Sequence, residues 1–302
     1  MQASLRDPLH GGWFPLIAAV DAGDGEAVAT LLEAGDDANQ AVVAPSEHPA
    51  IAYWEWIGST ALSLAARKGD RPIAEMLLGH EGTEVDKALG DGTTPVSLAA
   101  EYGHHEIVGM LADMGADLDL TDENGFTPVY VAAQNGHHEV VRVLADNGAN
   151  LDLAEKDGAT PVYMAAQNGH HEVVRVLADK GANLDLAMKD GRTPVFKAAE
   201  KGHHEVVGVL AEKGANLDLA REDGATPVYV AAQNGHHEVV RVLADNGANL
   251  DLADKRGSTP VSMAAEHGHH EVVRVRAGRD ANLDLAEEHA ANPVYVAAPK
   301  GP

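Results

Sequence analysis

The residues best placed to do chemistry in this sequence are six Gly-His-His-Glu tetrads, beginning at Gly103, Gly136, Gly169, Gly202, Gly235 and Gly268. Twelve of the 17 histidines lie in these doublets. Imidazoles beside a carboxylate hold a divalent metal or move a proton when they converge on one point. A metal-binding helix of the His-Glu-x-x-His kind puts its two histidines one turn apart on one face. Here His138-Glu139-Val140-Val141 is followed by Arg142, and the other copies carry Arg or Gly at that place. The second ligand is missing every time. Adjacent helical residues point about 100° apart, and equivalent histidines on neighbouring helices stand roughly 8–10 Å apart, too far to share one ion. The doublets are therefore expected to be structural, the first histidine ordering the turn between two helices and the second partly exposed. A row of imidazoles, free value about 6.5, also raises a pH dependence of stability or binding between about pH 5 and 7. Equal stability and affinity across that interval would exclude it.

Other chemistry has still less to stand on. The chain has no cysteine, which removes disulfides, thiolate nucleophiles and zinc-thiolate sites together. It has no Gly-x-Ser-x-Gly elbow and no Gly-x-x-x-x-Gly-Lys-Ser/Thr loop. The acid pairs Asp36-Asp37 and Glu287-Glu288 fall in predicted loops or ends, where carboxylates are usually solvated. No catalytic residue, metal site or cofactor is assigned, and no enzyme is expected.

The elements that position these residues are set by a period. Thr-Pro recurs at Thr94, Thr127, Thr160, Thr193, Thr226 and Thr259, every step being 33 residues. In one unit, Thr127 is an N-cap and Pro128 takes the first helical position, where a missing N–H costs nothing. A short helix over Pro128 to Asn135 is predicted, closed by Gly136. A second, about His138 to Asn147, places Val140, Val141, Leu144 and Ala145 at helical spacing before Gly148. An alternating segment, Ala149 to Leu153, and a turn around Gly158 lead to the next Thr-Pro, with Leu151 expected to pack beneath the following unit. One pair this short cannot bury its apolar face alone, whereas a stack of them forms a continuous core.

The unit D-x-x-G-x-T-P-V-Y-x-A-A-x-x-G-H-x-E-V-V-x-x-L-A-x-x-G-A-N-L-D resembles the ankyrin repeat and covers nearly the whole chain. The resemblance implies an all-α solenoid of stacked helix-turn-helix units with β-hairpin-like loops, about seven repeats plus a C-terminal half repeat. Residues 1–12 are read as an N-terminal extension and 13–302 as one repeat domain. Its units fall at about 13–40, 58–88, 89–121, 122–154, 155–187, 188–220, 221–253 and 254–286, the first being diverged and the seven over 58–286 regular. Residues 41–57 form an inserted loop and 287–302 a partial repeat. The chain departs from the family pattern in three places. Histidine stands where leucine is usual, as at His138; Tyr130, Tyr163, Phe196 and Tyr229 stand where histidine is usual; aspartates such as Asp119 and Asp152 replace a hairpin asparagine.

In ankyrin proteins the hairpin tips and first helices line a concave groove. Carried over position by position, that face comprises Arg67, Lys68, Glu101, Tyr102, Gln134, Asn135, Gln167, Asn168, Glu200, Lys201, Gln233 and Asn234 on first helices, with Phe126, Lys189 and Arg192 at tips. Trp54 and Trp56, in the inserted loop, either cover the N-terminal end of the stack or contact a ligand. Residues 127–154 and 226–253 are identical, so distinctive contacts are expected from the units that differ, over Arg67 to Tyr102 and Lys189 to Lys201.

Asp and Glu number 47 against 22 Lys and Arg, a formal charge of −25. Such a field repels phosphate backbones and favours a basic protein partner. No signal peptide or membrane span is expected, which leaves an intracellular or cytoplasmic monomer. At the C-terminal end Leu gives way to Arg276, the closing glycine to Asp280, and Pro299 interrupts a helix, so fraying is expected over 270–302. The function implied is a non-catalytic protein-binding scaffold or adaptor. The alternative is the recognition region of a larger enzyme or channel.

Overall fold

A computed structural model describes residues 15–42 and 58–278. Among these residues there are sixteen α-helices and no strand. They fall in two compact units divided after Glu155. The first holds α1 (Pro15–Ala22), α2 (Gly25–Glu33), α3 (Ala61–Lys68), α4 (Arg71–Leu78), α5 (Pro95–Glu101), α6 (His105–Asp113), α7 (Pro128–Asn135) and α8 (His138–Asp146). The second holds α9 (Pro161–Asn168), α10 (His171–Asp179), α11 (Pro194–Lys201), α12 (His204–Glu212), α13 (Pro227–Gln233), α14 (His237–Asp245), α15 (Pro260–Glu266) and α16 (His270–Ala277).

The helices begin where the capping chemistry says they should. The buried hydroxyl of Thr127 accepts from the Tyr130 N–H at 3.1 Å, and Thr160, Thr193 and Thr226 repeat the bond. Each such cap satisfies one of the free N–H groups of the first turn, and the proline that follows has none to satisfy. Thr60 and Thr259 go further, forming reciprocal capping boxes with Ser63 and Ser262.

Within the first unit, α1, α3, α5 and α7 pack side by side as one layer, α2, α4, α6 and α8 as another, and each first helix leans on its own partner. The second unit repeats this with α9, α11, α13 and α15 against α10, α12, α14 and α16. This is the stacked helix-turn-helix architecture that the period demands. Alanine pairs make the first layer possible: Ala132, Ala133, Ala198 and Ala199 are fully buried, with only a methyl group to hold the helices apart. The second layer is closed by Leu77, Leu111 and Leu144 in one unit and Leu177, Leu210 and Leu243 in the other, all fully buried. The loops turn back through isolated backbone bonds, such as Asp122 N–H to Phe126 C=O at 3.2 Å, rather than through a strand ladder.

Arg276 stands in the leucine register and is still 3% exposed. Its guanidinium is met by the Asp251 carboxylate, with Nε at 3.1 Å. Burying a charge is tolerable when it is paired in this way, and α16 runs through Ala277. Trp54 and Trp56 with most of the inserted loop, the 1–12 extension, and the last residues with their partial repeat lie outside the described residues.

Candidate functional site

The histidine doublets divide their labour. The first of each pair, as at His137 and His203, occupies the N-cap of a second helix but makes no side-chain cap bond. A cap needs a short side-chain oxygen, and imidazole supplies a long reach and an N–H. In His104, His137, His203, His236 and His269 the Nε2 goes instead to the preceding repeat, to a carbonyl that the end of a first helix leaves free. Within the first unit His104 meets Arg67 C=O at 3.1 Å and His137 meets Glu101 C=O at 2.9 Å. Within the second, His203, His236 and His269 meet the carbonyls of Gln167, Glu200 and Gln233 at 3.0, 3.2 and 3.0 Å. A carbonyl only accepts, so the proton sits on Nε2. The first histidine is thus a tie between repeats, beyond the local turn-ordering role expected from sequence.

The second histidine is half exposed, with Nε2 of His138, His171 and His237 lying 3.3, 3.3 and 3.2 Å from the adjacent glutamate. No group of three or more His, Asp or Glu side chains is placed to hold a metal among the described residues.

The hairpin aspartates form a second tie. Asp86, Asp119, Asp185 and Asp218 accept the backbone N–H of Asp117, Asn150, Asn216 and Asn249, each in the following repeat. Replacing the family's asparagine by aspartate keeps the acceptor that this bond requires.

The candidate contact residues are distributed over both units. In the first, Lys68 is paired with Asp21 at 2.6 Å, and the Arg67 guanidinium lies 5.5 Å from the Tyr102 ring centre. Tyr102 remains 43% exposed. Glu101, Phe126, Gln134 and Asn135 come together around one cleft of about 280 Å³. Asp91, Asp122, Thr93, Ser97 and Val131 complete its lining. Phe126 stacks on Tyr130 with ring centres 4.5 Å apart. The Asn135 side-chain amide donates to Glu101 C=O at 3.1 Å.

In the second unit, Arg192 reaches Asp190 at 2.6 Å and Glu200 at 4.0 Å, and Asn234 donates to Glu200 C=O at 3.1 Å. Lys189 contacts the Lys156 carbonyl and lies 3.8 Å from Asp157. Gln167 and Gln233 take part through the carbonyls that the histidines hold, and Lys201, Asn168 and Asn234 are exposed. Asp91, Thr93 and Ser97 were not singled out from sequence. A signal existed, because Ser97 stands in the register of Tyr130, Tyr163, Phe196 and Tyr229. A missing ring leaves space.

Electrostatics in the second unit follow from its arginines. The hydrogen bond from Arg221 holds the Asp223 carboxyl well down, to about 2. Arg192 likewise lowers Asp190. Burial pushes Asp254 up, but the Ser258 N–H and Arg256 outweigh it and the net shift is downward. Burial pushes the Tyr163 phenol up to about 12, which keeps it neutral near pH 7.

A lowered carboxylate adds stability above its unfolded value and loses it as pH falls through the folded one. The Asp223–Arg221 pair therefore contributes above about pH 4 and stops contributing near pH 2, modestly, because Asp223 is half exposed. Carboxyl NMR is expected to show Asp223 titrating near 2, and Arg221→Ala is expected to return it toward 3.8. A midpoint unmoved by that substitution would assign the shift to the loop's backbone N–H groups instead.

Helix pairs stacked within each unit, and tied there by histidine and aspartate, define a helical repeat protein. A family model described as Ankyrin repeats (3 copies) matches residues 62–155, 147–221 and 214–285. The chain belongs to the ankyrin-repeat family, whose repeats are protein–protein interaction scaffolds rather than catalysts. Among solved structures it is similar to the ankyrin repeat domain of Bcl-3, a member of the IkappaB protein family, with a TM-score of 0.65 and 27% identity, covering 72% of this chain and 99% of that one. It is also 35% identical over 89 residues to potassium channel AKT1 of Oryza sativa, in both subspecies indica and japonica. That match covers 30% of this chain and 8% of the channel. No helix among the described residues is long and apolar enough to cross a membrane.

Proposed function

We propose that this chain is a non-catalytic scaffold or adaptor that binds a basic protein partner through the groove of hairpin tips and first helices, acting as an intracellular monomer. The observation that carries this is how side chains are used within each unit. Valine, leucine and alanine are consumed by the stack, while Glu101, Tyr102, Asn135, Lys201 and Asn234 stay exposed on the first-helix ends. An exposed tyrosine flanked by polar groups is the usual make-up of a contact surface. Its formal charge of −25 favours encounter with positive partners.

Tyr102→Ala combined with Glu101→Lys, which removes the aromatic contact and reverses an acidic one, is expected to weaken capture of a basic partner by at least about tenfold. Arg241→Ala, on a second helix, should leave it unchanged. Equal capture by the groove variant, or loss with Arg241→Ala alone, would overturn the proposal.

The 89-residue likeness to a channel of which this chain spans 8% supports a second possibility, that these repeats serve as the recognition region of a longer protein. A reading frame continuing into a further domain is the test, and one that ends with the repeats would remove it.

A further inference from the structure

The cleft between the tips of the first unit has a counterpart inside the same chain. Adding 99 to its residue numbers leads to the second unit, where Asp91 becomes Asp190, Thr93 becomes Arg192, Glu101 becomes Glu200 and Asp122 becomes Arg221. In that counterpart the carboxylates are met from within. Arg192 lies 2.6 Å from Asp190 and 4.0 Å from Glu200, and the Arg221 guanidinium lies 5.2 Å from the Phe196 ring centre. In the first unit both arginines are gone. Asp91, Glu101 and Asp122 have no Lys or Arg ion-pair partner among the described residues, and the two Asp side chains accept only from N–H groups of their own loops. Ser97 replaces Phe196, which opens the floor, and Phe126 adds a flat wall.

We infer that this cleft is the seat of an arginine side chain from a basic segment of the protein partner. The inference rests on the groove proposal above and specifies its chemistry. The cleft's volume, about 280 Å³, admits a guanidinium with its stem. A planar fork of five donors suits several carboxylates at once, and its face stacks on an aromatic wall such as Phe126. The second unit supplies the same complement from its own sequence, so the missing partner group is identified by chemistry rather than by acidity alone.

The test uses the whole chain and an acetylated, amidated Gly-Arg-Gly-Arg-Gly peptide, with a citrulline version of equal shape and no charge. Amide NMR shifts are expected at Thr93, Glu101, Asp122 and Phe126, and the citrulline peptide should bind at least about tenfold more weakly. Thr93→Arg, which installs the arginine found at 192, should fill the cleft and abolish binding with the melting temperature retained. Glu101→Gln with Asp122→Asn gives a second route to the same loss. Equal binding by the citrulline peptide, or by the Thr93→Arg chain, would overturn the arginine seat. Shifts confined to other tip-face residues such as Lys201 and Asn234 would overturn it while leaving the groove proposal standing. Shifts confined to second helices would overturn both.

Discussion

Leu210→Ala is expected to destabilise the second unit by about 2–5 kcal/mol, read from the midpoint of denaturant unfolding. Leu210 is fully buried on α12, between α10 and α14, with Val206, Val207 and Val209 buried beside it. Truncation removes buried methyl groups and leaves a hole that helices held by alanine contacts cannot easily close. In a stack each repeat is supported by its neighbours, so the loss spreads beyond one helix. The same change at Leu120, 38% exposed, should stay within about 0.5 kcal/mol. Similar effects at the two sites would mean that α12 does not sit in a packed layer.

Gly202→Ala is expected to cost about 2–3 kcal/mol, from two sources that can be separated. Gly202 has φ +82°, where a Cβ costs roughly 1–2 kcal/mol. An added Cβ would also stand 2.9 Å from the His236 ring, displacing it from Glu200 C=O, a further ~1 kcal/mol. Gly214 provides the control, with φ +85° and open space around it, so Gly214→Ala should show only the backbone cost. In a His236→Ala background the extra cost at Gly202 should vanish, since no ring remains to be displaced. Equal costs at Gly202 and Gly214 would show that the histidine tie contributes nothing.

These two predictions mark the boundary of what was legible in the residues. Thr-Pro, the closing glycines and the Val-Leu spacing announce α7 and α8 to within a residue, because caps and periodicity are local chemistry. The histidine tie was hidden because its partner carbonyl lies 36 residues back, as in His236 to Glu200. Its one signal, a glycine without a Cβ, is already explained by helix termination. Arg276 read as a break in the leucine row, yet Asp251 in the preceding repeat neutralises it. The cleft could have been found from Ser97, a small residue in a register of rings. What the residues could not convey is that Asp91 and Glu101 lack the arginine that serves Asp190 and Glu200, and that Asp122 adds a carboxylate where Arg221 stands, since ion pairing depends on which side chains the stack brings together.

The most direct test of partner binding through the tip-and-first-helix face is hydroxyl-radical footprinting of the chain alone and in complex with its captured partner. Tyr102, 43% exposed, and Phe126, lining the cleft, should become protected, while Met114, 51% exposed at the end of a second helix, continues to oxidise. Protection of Met114 with Tyr102 and Phe126 unchanged would contradict it.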